Sequence, residues 1–299
     1  MRPNPWTMFL IRMGGQGFDR KAVSDMYKKW KREFHARNPS LLSESEMKAK
    51  MNEDLCQDIA ETNLEAKKGK APFFTERPVP RDWNLYKSNK SLEFIDLYFG
   101  SGRSRIGLHL HGDSLKTLMP RKWLNDDVIN AYMVLLQRNN SSQKNIFMNT
   151  FFYTQFTAPD VRHALVREYT SGLNTTGAVK IFVPVNHDLN HWALIVIDVE
   201  KDQVISMDSF NEEREYATGE MLEWIQQEHI QKKKSFDKQE WTMLHMNVPV
   251  QKNTVDCGVF VCMFAAYFAN DRPFTFTHRD MTKMRARLAW SILNRRLDN

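Results

Sequence analysis

From Val259 to Phe268 the chain is apolar without a break. That run is about half the ~20 residues needed to cross a bilayer, so it reads as a buried helix. A helix that is apolar all round has to be covered all round. The rest of the chain can supply that cover. Of its 299 residues 42% are hydrophobic and 26% charged, the balance of a folded globular protein of one or two domains. No longer apolar run exists. The patch Trp6 to Ile11 is ended by Arg12 with no small-residue cleavage site after it, so neither a membrane span nor a secretory signal is expected.

Net charge is +6, from 42 basic and 36 acidic side chains, and its distribution matters more than its size. Residues 1–90 hold 18 Lys/Arg and 12 Asp/Glu, which leaves 24 of each for residues 91–299. The whole excess belongs to the first 90 residues. Three cysteines, Cys56, Cys257 and Cys262, are too few and too scattered for a disulfide framework. They suit a reducing, intracellular compartment. Without a C-x-x-C pair, no structural metal site is expected.

Residues 1–90 read as a basic helical and linker extension. A charged helix is expected over 20–37. Ser43 to Glu46 forms a capping box for a second, with Met47, Met51, Leu55 and Ile59 as its narrow apolar stripe. Three prolines between Lys67 and Arg81 mark a linker. The cluster Lys28-Lys29-Trp30-Lys31-Arg32 reads as a charged helix face, with a nuclear import signal or nucleic-acid patch as the sharper readings.

Beyond Leu115 the pattern changes. Asn125 suits an N-cap, with Asp126 and Asp127 at the positive end of the following helix. Leu124, Val128, Ile129, Tyr132, Leu135 and Leu136 give that helix a wide apolar face. Strands are expected over Lys180–Val185, Trp192–Val199 and Val204–Asp208, the last two joined by a turn at Glu200–Gln203. A polar helix near Glu220–Lys234, the apolar helix, and an amphipathic one from about Thr277 to Leu297 complete the order. Helices packed on a mainly antiparallel sheet, an α+β fold, are the expected architecture for residues 91–299.

Cys257 stands where a polar loop meets the buried helix. Backbone N–H groups are unsatisfied there and the helix dipole favours an anion, so the position suits a thiolate. Gly258 behind it would let a substrate backbone approach. Cys262, inside the apolar run, and Cys56, on a polar helix, have no such setting. A nucleophilic thiolate needs a base. His191 opens one strand and Asp208 closes the next, which places both at one edge of an antiparallel hairpin. A carboxylate there can bind one imidazole nitrogen while the other takes the thiol proton. Gln251, six residues before Cys257, can offer an amide N–H to a developing oxyanion beside the Cys257 backbone N–H.

These residues form a set: Trp123-Leu124-Asn125-Asp126, Asn190-His191-Trp192, Asp208-Ser209, and Gln251 followed by Cys257-Gly258. In this order and spacing they resemble the SUMO-specific cysteine proteases, the Ulp/sentrin-protease family. The likeness extends over roughly residues 90–299 and includes Asn270-Asp271-Arg272-Pro273. It implies a papain-like fold with Cys257 as nucleophile, His191 as base and then acid, Asp208 as its orienter and Gln251 as oxyanion donor. It implies cleavage after the C-terminal Gly-Gly of SUMO, both from lysine side chains and from the precursor. Trp123 and Trp192 would cover a channel too narrow for any Cβ, Asp126 would pair with a basic group on the modifier, and His187 and Phe151 would touch it. No cofactor or metal is implied. SUMO and its conjugates are the implied partners of a monomer that needs no nucleic acid, in the nucleus, at its envelope or in the cytoplasm. The competing readings are the same chemistry on NEDD8 or ubiquitin, and a non-proteolytic binding module on the same scaffold. The segment from Glu228 to Lys234 and residues 270–273 favour the SUMO branch.

The charge distribution yields a test. Deleting residues 1–85 should leave in-vitro cleavage of a soluble SUMO fusion largely intact, as followed by gel. A large loss with the fold preserved would make the basic arm part of the enzyme.

Overall fold

The computed structural model describes residues 108–297, except 111, 141–142, 158–165, 167–169 and 171, together with the short strand Leu92–Phe94. The helices expected within 1–90, the linker, the basic cluster and Cys56 lie outside the described residues.

Strand β1 (Leu92–Phe94) pairs antiparallel with β2 (Leu108–Leu110). Helices α1 (Gly112–Lys116) and α2 (Asp126–Asn139) follow. Asn125 caps α2 as expected, its side-chain oxygen accepting from the N–H of Val128 at 3.2 Å. Asp126 and Asp127 occupy the first turn. The helix is buried continuously from Val128 to Leu136, more fully than its apolar face alone suggested, because β2 and the last two helices of the chain all pack on it.

The main sheet has five strands in the order β3 (Ile146–Phe147), β4 (Lys180–His187), β5 (His191–Asp198), β6 (Gln203–Met207) and β7 (Thr242–His245). Its centre is antiparallel, β4 with β5 and β5 with β6, while β3 and β7 join the edges in parallel. The expected mainly antiparallel sheet is therefore a mixed one. The three strands read from sequence lie within two residues of their observed limits. The short edge strands and helix α3 (Thr150–Thr157) carried no pattern of their own. They are held by tertiary contacts. Asn130 on α2 donates to Thr150 Oγ1 and accepts from the Thr150 N–H, and Gln137 accepts from the N–H of Phe147.

Helix α5 (Cys257–Phe268) is buried over its entire length and packs on β5, α2 and α6. Helix α4 (Glu215–Gln231) lies along β5, β6 and β7, so β5 is buried at every position. Helix α6 (Met281–Asn294) follows a single 3-10 turn, His278–Asp280, whose Thr277–Asp280 capping box is formed. No helix among the described residues is long and apolar enough to cross a membrane.

One buried cation ties α6 to two loops. Arg285 is 1% exposed. Its Nε and Nη2 donate to Asp256 Oδ1 at 3.0 and 2.7 Å. Nη1 donates to the carbonyls of Thr117 and Met119, and Nη2 to those of Lys122 and Val255. The same guanidinium thus holds the segment leading into Trp123 and the residue that precedes Cys257. Arg285→Met would leave Asp256 and these carbonyls without a donor in the interior. It should lower stability by about 3–5 kcal/mol, read as a drop in the denaturant midpoint at unchanged slope.

Candidate active site

Cys257 is the first residue of α5 and is 2% exposed. No side chain caps this helix. Asp256, at the cap position, is turned instead to Arg285 and to the side-chain amide of Asn253. The N-terminal end of α5, where Cys257 sits, therefore has no capping side-chain acceptor.

His191 opens β5, one strand end away. Its Nε2 lies 3.0 Å from both oxygens of Asp208, the residue directly after β6. The ring's other nitrogen is left for Cys257, which lies close enough to help raise the imidazole. The hairpin argument from sequence is met, since β5 starts and β6 ends at the same sheet edge. Phe210 stacks on the imidazole with centroids 4.7 Å apart and rings inclined by 27°.

The electrostatics follow from these contacts. Burial alone disfavours the imidazolium, but hydrogen bonds to Asp208 and Cys257, and their charges, outweigh it and push His191 up to about 9. Burial likewise opposes the Asp208 carboxylate. Its hydrogen bond to His191 and that residue's charge, the Phe210 N–H at 2.7 Å and Arg214 hold it below the ordinary carboxylate range nonetheless. Cys262, fully enclosed five residues along α5, has its thiol pushed far up by burial, which suits an inert packing residue.

Gln251 is buried and firmly oriented. The Ser209 hydroxyl donates to its Oε1 at 2.6 Å, and its Nε2 donates to the Asn253 carbonyl at 2.5 Å. Because Ser209 fixes the oxygen, the NH₂ end faces the loop before Cys257, and its second N–H is left over for a further acceptor. Ser209 was part of a sequence motif, but only the structure gives it a task.

The two tryptophans differ. Trp192 is 8% exposed and its indole N–H donates to the Leu124 carbonyl at 3.2 Å, whereas Trp123 is 50% exposed. Gly258 departs from its sequence reading. A Cβ built there would lie 2.9 Å from Leu124 Cβ, so the missing side chain makes room for Leu124 and not for a substrate. Asp126 is partly buried in the first turn of α2, and burial, with Asp127 beside it, raises its carboxyl. His187 pairs across the hairpin with His191, and burial, then the Arg214 charge, pull it down to about 4. Phe151, on α3, is 46% exposed and takes no part in the His191–Asp208 hydrogen bonds. Sequence reading passed over Arg214 and Arg285, which lie in segments with no motif.

Residues 122–298 match the Ulp1 protease family, C-terminal catalytic domain. Human sentrin-specific protease 2 is 34% identical over 202 residues, which is 65% of this chain and 34% of that protein. Ubiquitin-like-specific protease 1 of Saccharomyces cerevisiae is 31% identical over 193 residues, 64% of this chain and 30% of that protein. The chain thus spans about a third of the length of these curated relatives. Among solved structures, the C-terminal Ulp1 protease domain in complex with Smt3, the yeast ortholog of SUMO, superposes with a TM-score of 0.60 at 26% identity. That likeness covers 76% of this chain and 98% of the other.

The raised histidine gives a pH test. Its folded value lies above the unfolded 6.5, so its contribution to stability is complete below that value and is lost as pH rises through about 9. In Asp208→Asn the ring loses its carboxylate, and the His191 titration midpoint, followed by NMR of the ring nitrogens, should fall well below 9. A midpoint unmoved by the substitution would remove Asp208 from the account.

Proposed function

The chain belongs to the Ulp1 protease family, and from that premise we propose that residues 91–299 form a SUMO-specific cysteine protease domain preceded by a basic extension, residues 1–90. The pairing of β1 with β2 supports a start near residue 91. The observation that carries the catalytic reading is His191, held through Nε2 by Asp208, with Cys257 acting on the same ring from the N-terminal end of a buried helix.

In the proposed reaction the Cys257 thiolate attacks the carbonyl of the modifier's last glycine. The C=O π pair moves onto oxygen, and Gln251 with the Cys257 backbone N–H receives that charge. His191, protonated at neutral pH, gives its proton to the leaving amine as the C–N bond breaks. That amine is a lysine ε-amine in deconjugation or an α-amine in precursor maturation. Water, deprotonated by His191, then attacks the thioester, releasing the modifier's carboxylate and restoring the thiol. Asp208 keeps the imidazole oriented through both steps.

Trp123 and Trp192 are the proposed walls of the diglycine channel. An anchored Trp192 and an exposed Trp123 suit a fixed wall and a surface left open to substrate. Asp126, His187 and Phe151 are the proposed modifier contacts. Free thiols at Cys257 and Cys262 suit a reducing compartment, nucleus or cytoplasm. A charge-neutral catalytic region suits a domain that acts without nucleic acid, and a monomer is its proposed state.

A panel of C-terminal electrophile probes built on SUMO, NEDD8 and ubiquitin tests the substrate. Cys257 should be labelled by the SUMO probe, and labelling only by NEDD8 or ubiquitin would overturn that assignment. Cys257→Ser should bind SUMO but lose turnover. Cleavage retained in that variant would remove Cys257 as the nucleophile, and binding without cleavage in the unaltered chain would favour a binding module.

A further inference from the structure

Arg214 is the residue at the N-cap position of α4, yet its side chain does not cap that helix. A cation there also sits at the unfavourable end of the helix dipole. Its position makes sense only toward Asp208. Arg214 Nε and Nη2 each lie 2.5 Å from Asp208 Oδ2, and Nη2 is 2.9 Å from Glu212 Oε2. The Arg214 side chain is 15% exposed and Asp208 fully enclosed.

One buried carboxylate is therefore shared by two cations, the His191 imidazolium and the Arg214 guanidinium. The groups that face this pair come from every neighbouring element. They are Cys257 from α5, His187 from β4, with Asp188 of the β4–β5 turn beside that histidine, and Glu212 from the loop before α4. His187 is neutral at neutral pH, so Arg214 is the permanent positive charge of the cluster. It holds Asp208 in place and ionised whether or not His191 carries a proton. It also takes up part of the carboxylate's charge, which the imidazolium would otherwise have to itself.

Resting on the catalytic reading above, we propose that Arg214 is a positioning residue for the His191–Asp208 pair: it anchors the carboxylate and, by sharing its charge, sets the upper pH at which His191 keeps its proton. The alkaline edge of activity in this chain is then governed from the start of α4, by a side chain bound to Asp208 and Glu212.

The test compares Arg214→Gln and Arg214→Lys with the unaltered full-length chain. The His191 ring is titrated by NMR, and kcat/KM on a SUMO fusion is measured against pH, with thermal unfolding followed alongside. In Arg214→Gln the His191 midpoint and the alkaline limb should both move up by at least about half a pH unit. Activity at neutral pH should fall several-fold as Asp208 loses its anchor. Arg214→Lys, which keeps the charge, should bring the alkaline limb back toward that of the unaltered chain. A His191 midpoint unmoved in a folded Arg214→Gln chain overturns the proposal, even if activity falls, since that loss would be structural alone. The NMR titration needs no substrate. A chain that cleaves no SUMO fusion but shows the midpoint shift would refute the substrate reading and leave the role of Arg214 standing.

Discussion

Burial of α5 is the constraint that the rest of the catalytic region answers. Its twelve residues, Cys257 to Phe268, are all enclosed, and the sheet, α2 and α6 are arranged to enclose them. The difficulty lies at its first residue. A thiol that does chemistry has to sit at the edge of this packing without being absorbed into it. The buried N-terminal end must also satisfy its backbone without a capping side chain taking the place meant for a reacting anion. Arg285 resolves this by drawing Asp256 away from the helix end. The aspartate that would ordinarily cap α5 is committed elsewhere, and the end of the helix faces the sulfur.

The charges of the site are balanced on the same logic. A carboxylate as enclosed as Asp208 is costly unless it is well supplied with donors. It has the imidazole, the backbone N–H of Phe210 and two N–H groups of Arg214. The arrangement raises the imidazole far enough for it to be a proton donor at neutral pH, the form needed to expel an amine. His187 is a second imidazole at the same sheet edge, next to the same carboxylate but without a hydrogen bond to it. It is pulled down to about 4. Two histidines facing each other across a hairpin are thus set apart by which one the aspartate holds.

Much of this was legible in the sequence, and the boundary of legibility has physical causes. Strong local patterns were readable: the alternation and apolar runs of β4 to β6, the Asn125 cap, and the unbroken apolarity of α5. The His191–Asp208 pair could be argued because hairpin connectivity puts the start of one strand beside the end of the next, whereas Cys257 joined them only through the family resemblance. Edge strands of two to four residues and the eight-residue α3 were not readable. Parallel pairing at a sheet edge leaves no local signature, and these elements hold through contacts with α2 and the neighbouring strands. Arg214 and Arg285 were hidden for a different reason. A lone arginine in a polar segment normally reads as surface, and only the fold reveals that each meets a buried carboxylate. Gly258 was singled out for the wrong partner, since sequence can show that a Cβ is unwelcome but not which neighbour excludes it.

That neighbour links Cys257 to the two tryptophans. Leu124 presses on Gly258, its carbonyl receives the Trp192 indole N–H, and it follows Trp123 directly in the chain. Arg285 holds the carbonyl of Lys122 on one side of this segment and Val255 with Asp256 on the other. The distance between the tryptophans and the thiol is therefore not set by a flexible loop. It is fixed by close contact at one end and by a buried ion pair at the other. A side chain at position 258 would push Leu124 outward, and with it the carbonyl that holds the Trp192 indole. The small residue behind the cysteine thus couples the Trp192 indole to the start of α5: the positions of Trp192 and Cys257 are a single packing variable, and neither can be altered alone.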